Sequence, residues 1–155
     1  MLSIMKKIYI TIGVPGCGKS TWVQKNITDA SKTAVINMDT IRQEVTGRST
    51  DQTQNALVAS LARQKFMTAV SHGVPSIYWD NTTTQRKYRK EMIQMGKKGG
   101  YEVIAVHFKV PFDTCAKRNA ARNRVVPYDV LVRMQSQLQP PEQGEGWDNI
   151  ITVEG

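Results

Sequence analysis

Only two cysteines occur, Cys17 and Cys115. That is too few for a disulfide framework, so a bridge-stapled scaffold is excluded and a reducing compartment is expected. Apolar stretches are short, and none reaches the length of a membrane span. The opening Met1-Leu2-Ser3-Ile4-Met5-Lys6-Lys7 contains no apolar h-region, so no secretory leader is expected. Together these absences lead to a cytoplasmic location, the host cytoplasm if the chain is phage-encoded. There is no internal repeat and no compositional break, and residues 1–155 read as one domain. Acidic side chains are scarce as well: 13 Asp and Glu against 21 Lys and Arg leave a net charge of +8. Binding a nucleotide needs only a few cations. The surplus suits a second polyanion, nucleic acid first, or else a basic surface with no partner; charge alone leaves both open.

What is present is ordinary for a soluble globule, at 40% hydrophobic and 22% charged residues. One stretch stands out. Gly13-Val14-Pro15-Gly16-Cys17-Gly18-Lys19-Ser20 fits G-x-x-x-x-G-K-[ST], the phosphate-binding P-loop. Ile8-Tyr9-Ile10-Thr11-Ile12 before it reads as a buried strand, and Thr21 to Thr28 after it reads as a helix with Trp22, Val23 and Ile27 inward. Glycines 13, 16 and 18 can take positive φ, so successive amides can point into one concavity. The helix beginning near Lys19 adds its positive dipole end. Residues Gly13 to Thr21 are thus expected to hold ATP or another nucleoside triphosphate. Lys19 would lie on the β- and γ-phosphates and the Ser20 hydroxyl on Mg²⁺.

Strand-like and helix-like segments alternate, which predicts an α/β fold with a mainly parallel sheet of four to five strands. Strand two is expected at Thr33–Asn37, strand three at Val74–Trp79, strand four at Tyr101–Phe108 and a last strand at Asn149–Val153. Helices are expected at Thr40–Val45, Gln52–Ser71, Thr84–Met95, Phe112–Ala121 and from Pro127 to Leu138. Gln139 to Gly146 reads as a linker.

In such sheets ligands bind beyond the carboxyl ends of the strands. Strand two delivers Asp39 there, with Arg42 one helical turn on. This pair suits a general base beside a phosphate clamp, or a mere N-cap with a surface arginine. Strand three delivers Asp80, a Walker-B-like carboxylate for Mg²⁺ or an Asx-turn residue; beside a P-loop the metal reading is preferred. Arg118, Arg122 and Arg124 follow strand four. They suit a lid over the triphosphate, or a solvated basic helix end. Arg86, Lys87, Arg89 and Lys90, with Tyr88 among them, suit a nucleic-acid backbone or a solvated helix face. Arg86 is the member assigned to substrate, together with Arg42 and Asp80.

These blocks resemble the kinase domain of the phage T4-type polynucleotide kinases, which phosphorylate 5′-hydroxyl ends. The likeness runs through Ile10 to Trp22, through Ile36-Asn37-Met38-Asp39-Thr40-Ile41-Arg42-Gln43, through Asp80-Asn81-Thr82, and through Arg118-Asn119, Arg122 and Val126 to Leu131. It implies a P-loop kinase-like three-layer α/β/α architecture with a helical lid. It implies ATP and Mg²⁺ as cofactors and a DNA or RNA 5′-hydroxyl end as partner. By the same resemblance Asp39 is the general base, Arg42 holds the acceptor's 3′-phosphate, and Asp80 is the essential strand-three aspartate. Arg118 and Arg122 are lid arginines, with Arg122 at the transferring phosphate. Met38 and Thr40 stand where the family has polar neighbours of the base, and the lid is slightly shorter. The chain ends before a phosphatase domain of the D-x-D-G-T type, so 3′-phosphatase activity is not expected. Two other functions share these features: a P-loop kinase of a small metabolite or sugar nucleotide, and an ATPase or nucleic-acid-binding module that transfers nothing.

Overall fold

Among the described residues five strands form the sheet: β1 (Lys7–Ile12), β2 (Thr33–Ile36), β3 (Ser76–Trp79), β4 (Glu102–Phe108) and β5 (Asn149–Val153). They lie in the order β2-β3-β1-β4-β5. Every pairing is parallel, with Lys7 opposite both Ser76 and Glu102. The computed structural model describes residues 5–155; residues 1–4, the start of the stretch examined for a leader, lie outside the described residues.

Parallel neighbours need crossovers, and helices provide them. These are α1 (Lys19–Asn26), α2 (Met38–Thr46), α3 (Asn55–Ser71), α4 (Lys90–Lys98), α5 (Phe112–Ala120) and α6 (Tyr128–Gln137). The two-residue period of β1 sorts them into layers. Ile8, Ile10 and Ile12 join Ile77, Trp79, Val103 and Ala105 under α2, α3 and α4. Tyr9 turns to the opposite face, where Ile104, Val106 and Phe108 meet Trp22 of α1, Cys115 of α5 and Leu131 of α6. The result is a three-layer α/β/α sandwich with all five carboxyl strand ends on one edge. Among the described residues no helix is long and apolar enough to cross a membrane.

The predicted elements are all present, with three instructive shifts. Helix α3 begins at Asn55 and not Gln52, because the Asp51 carboxylate accepts from the Thr53 amide and makes an Asx turn first. Val58, Ala62, Phe66 and Ala69 form its inner face, while Leu57 is exposed. Helix α4 begins at Lys90 and not Thr84. Thr83 takes φ 43°, a left-handed conformation strained for a β-branched residue. A 3₁₀ turn at Arg86–Tyr88 then intervenes.

The third shift explains that strain. Gln139 to Gly146 is no linker but a strap. The Gln139 amide donates to the Thr84 carbonyl at 2.8 Å, and the Arg86 amide donates to the Gln139 side chain at 2.8 Å. Arg89 is wholly buried beneath it. Its Nε donates to Glu145 Oε1 at 2.9 Å, its Nη2 to the Gln139 carbonyl at 2.9 Å, and its Nη1 to the Thr83 carbonyl at 3.3 Å. Burial pushes the Arg89 pKa down, and the Glu145 charge works against that fall. Neither the solvated face nor the nucleic-acid reading holds for Arg89, which is a structural anchor.

Removing one member of a buried pair leaves an uncompensated charge. Glu145→Ala is expected to cost about 3–5 kcal/mol, read as a lowered urea midpoint. Lys97→Ala, which loses a largely exposed pair with Asp148, should cost less than about 1 kcal/mol in the same experiment.

Candidate active site

The P-loop spans the turn from β1 to α1. Gly16 has φ 87° and Gly18 has φ 96°, the positive values expected of them. Gly13 does not; it is needed for packing, since a Cβ there would meet Cys17 Sγ at 2.6 Å and Phe108 Cβ at 3.1 Å. Gly16 carries the tighter constraint. Its Cβ would lie 2.3 Å from the Cys115 carbonyl oxygen, so the loop rests directly on α5. Val14, Pro15 and Cys17 are buried in the loop, while Thr21 lies exposed in the first turn of α1. Gly18 is the N-cap of α1 and supplies no side chain there, leaving the first helical amides unobstructed. The Lys19 ammonium lies back across the loop and donates to the Val14 carbonyl at 2.9 Å.

Asp80, at the end of β3, joins three strands. It is 4% exposed. Its Oδ2 accepts from the Ser20 hydroxyl at 2.8 Å and from Asn37 Nδ2 at 3.4 Å, and Asn37 also donates to its carbonyl at 2.9 Å. The carboxylate thus faces the P-loop and makes no Asx turn. Its Oδ1 is buried and has no hydrogen-bond partner. A buried, half-satisfied carboxylate beside a P-loop serine is a fitting seat for Mg²⁺, which uses one or two carboxylates together with substrate phosphates. The loop after Asp80 is tied to the P-loop as well, because the Gly13 amide donates to the Thr82 carbonyl at 3.0 Å.

Asp39 lies in the first turn of α2, and the capping role belongs to Asn37, whose Oδ1 accepts from the Thr40 amide at 2.9 Å. The Asp39 carboxylate is free for other work and is held from two sides. Arg42 Nη1 reaches Oδ1 at 2.7 Å and Arg124 Nη2 reaches Oδ2 at 3.1 Å. Arg42 is itself steadied by Asn55 Oδ1 at 3.2 Å. Arg122 is close enough to this group and to Cys17 of the P-loop to feel their charges. Its pKa is pushed down by burial first and then by Arg124, and is held up by Asp39 and Cys17. Asn119 fixes this lid loop, accepting from Arg122 Nη2 at 3.0 Å and from the Val126 amide at 3.1 Å. Arg118 lies beside Gly18, its Nη1 3.8 Å from where a Cβ would stand.

The structure therefore brings Gly13 to Ser20, Asp39, Arg42, Asp80, Arg118 and Arg122 to one edge of the sheet. Arg86 is drawn elsewhere, its Nη2 pairing with Glu142 at 2.7 Å on the strap. Asn37, Asn81 and Asn119 were not singled out, although each sits beside a selected residue. Asn81 accepts from the Met38 amide at 2.8 Å and donates to the Ile36 carbonyl at 3.1 Å, locking β2 to β3. Their signal was asparagine at a strand-to-helix turn or a helix end, the residue type that pairs with free backbone groups. Gly16→Ala should be folded by circular dichroism yet bind a fluorescent ATP analogue at least about tenfold more weakly, since left-handed strain alone costs about 1–2 kcal/mol.

Comparison with known proteins follows the same lines. A family model described as an AAA domain matches residues 8–141. An L-seryl-tRNA(Sec) kinase of Methanococcus maripaludis is 23% identical over an alignment that covers 91% of this chain, and the chain spans only 56% of that relative's length. A chain of the Pnkp1/Rnl/Hen1 RNA repair complex matches with a TM-score of 0.72 at 18% identity, over 89% of this chain and 45% of that one. A fungal RNA kinase gives 0.69 at 14% identity, over 99% and 76%. A gluconokinase from Sinorhizobium meliloti gives 0.56 at 18% identity, over 99% and 84%. Likenesses this remote speak for the fold and leave the acceptor open. The matched span holds the strand, glycine loop and helix described above, and on it the chain belongs to the AAA-domain family, with a P-loop kinase-like fold.

Proposed function

We propose that residues 1–155 form one kinase domain that transfers the γ-phosphate of ATP to the 5′-hydroxyl of DNA or RNA ends, in nucleic-acid end repair. The observation that carries this reading is the Asp39 carboxylate clasped by Arg42 and Arg124 beside the lid arginine Arg122. A base alone would serve any hydroxyl. A base flanked by two arginines suits a hydroxyl that has an anionic phosphate next to it. An incoming acceptor phosphate competes for Arg42 and Arg124 and frees the carboxylate as the hydroxyl arrives. The net charge of +8 supports the same reading, as does the likeness to two RNA-processing proteins.

In this proposal the P-loop amides and Lys19 hold the donor phosphates. Asp39 accepts the hydroxyl proton, and Arg42 orients the acceptor. Arg118 and Arg122 close over the triphosphate, with Arg122 offsetting charge on the phosphoryl group in flight. Ser20 and Asp80 would hold Mg²⁺, which supplies charge neutralisation on the phosphates when bound. Catalysis is positioning and electrostatics, with no covalent enzyme intermediate. A small-molecule acceptor is the second reading. It is favoured by the likeness to a gluconokinase.

One assay separates these readings. Labelled γ-phosphate is offered to 5′-hydroxyl DNA, 5′-hydroxyl RNA, a 3′-phosphorylated mononucleotide, gluconate and a sugar nucleotide in competition. Label on the oligonucleotide or mononucleotide supports the proposal; label on gluconate or the sugar nucleotide alone refutes it. ATP hydrolysis with no labelled acceptor points to a non-transferring ATPase. Asp39→Ala should lower turnover by about a hundredfold or more, and Arg122→Ala by a similar factor. Near-normal turnover in Asp39→Ala would remove the base assignment.

A further inference from the structure

Next to the catalytic edge lies a cavity of about 380 Å³ between α3, α4 and the loop that follows β3. Its wall includes Met38, the immediate neighbour of Asp39, and Asn81, the immediate neighbour of Asp80. The cavity is therefore contiguous with the site. Phe66, Trp79, Met92 and Met95 make most of the remaining surface apolar. The charged residues at its lining, Arg63 and Glu91, are paired with each other across α3 and α4. No free charge is offered inside.

Two further observations point to an occupant. Thr83 lines the cavity and is 8% exposed, and its Oγ1 is buried without a hydrogen-bond partner. The same residue holds the strained φ of 43°. Strain of this kind persists only where the surroundings impose it. Here Arg89 grips the Thr83 carbonyl, while the Thr82 and Thr84 carbonyls accept from Gly13 and Gln139. Three clamps hold one hydroxyl where it meets no protein partner, which is the mark of a polar contact reserved for a ligand.

We propose that this cavity is a subsite for the heterocyclic base of the nucleotide whose 5′-hydroxyl faces Asp39. The inference rests on the polynucleotide-kinase reading and adds the part of the acceptor that is recognised. A base has apolar faces and a polar edge. The faces match the methionine thioethers and the Trp79 and Phe66 rings, and the edge matches one hydroxyl able to donate or to accept. Because a hydroxyl serves either polarity, the pocket accepts all bases without strong preference. A phosphate or carboxylate would lie there with no cation free to pair with it, and a polyhydroxylated chain would bury hydroxyls without partners. Tyr88, 59% exposed and also on the lining, offers a stacking surface at the mouth for the next base.

The test uses Ala59→Phe. Ala59 is an exposed residue of α3 that lines the cavity, so a larger side chain fills the space without disturbing the core. Wild type and variant are compared on two 5′-hydroxyl oligonucleotides, one intact and one abasic at its 5′-terminal residue. The abasic end should lower kcat/KM at least tenfold in wild type. Ala59→Phe should bring the intact oligonucleotide down to the abasic level and leave the abasic rate unchanged. Equal loss on both substrates, or loss on neither, overturns the subsite. Quenching of Trp79 fluorescence by adenosine and thymidine, with Trp79→Phe as the control, separates this failure from failure of the kinase reading. Quenching that Ala59→Phe abolishes upholds the base pocket even if no oligonucleotide is phosphorylated. Absence of quenching by either nucleoside, with gluconate binding in their place, rejects it.

Discussion

The catalytic edge depends on one buried carboxylate. Asp80 ends β3, accepts from Ser20 beyond β1, and is held by Asn37 beyond β2. Those strands are neighbours in the sheet order β2-β3-β1, so a single side chain sets the relative positions of three strand ends. An ionised group buried at 4% exposure is costly unless it is hydrogen-bonded or paired. Only one of its oxygens is satisfied within the protein. In the proposed reading the other oxygen would meet a cation carried in with the nucleotide. The P-loop in turn rests on α5 through Gly16, and α5 runs into the lid. The P-loop, Asp80 and the loop after α5 therefore form one connected body.

Charge is arranged with the same economy. Asp39 is held by Arg42 and Arg124, and Arg122 stands within reach of their charges. One carboxylate among three guanidinium groups leaves the cluster net positive, a setting that favours an anion. On the opposite side of β3, positive charge is consumed by structure. Arg89 and Arg86 are taken up by Glu145 and Glu142, and Arg63 by Glu91. The cavity beside the site therefore presents mainly apolar surface with a threonine-lined wall, while the catalytic edge presents arginines. The two halves of a nucleotide, base and phosphate, differ in the same way.

Much of this was legible in the chain. The P-loop spacing and the β-branched run before it fixed β1, the turn and α1. Asp39 and Asp80 were legible because each follows an apolar strand and opens a helix or turn, where α/β folds gather their chemistry. What stayed hidden depends on distant partners. Arg86 and Arg89 read as a basic cluster because the acids that bind them, Glu142 and Glu145, lie more than fifty residues away in a stretch that looked like a linker. The late start of α4 follows from the same contacts, which local propensity does not contain. Arg124 was grouped with the lid, and only the fold shows it on Asp39. The asparagines that wire the strand ends together give no periodic signal and emerge from hydrogen bonding alone.

The account stands on the charge of Asp80, and one measurement isolates it. Asp80→Asn keeps an oxygen that can accept from Ser20 and removes only the negative charge. Thermal unfolding is followed with ADP alone and with ADP plus Mg²⁺, since a ligand bound to the native state raises Tm by an amount that grows with the logarithm of its concentration over Kd. Wild type should show a rise with ADP and a further rise with Mg²⁺, and Asp80→Asn should keep the first and lose the second. An undiminished Mg²⁺ increment in the variant would contradict the account.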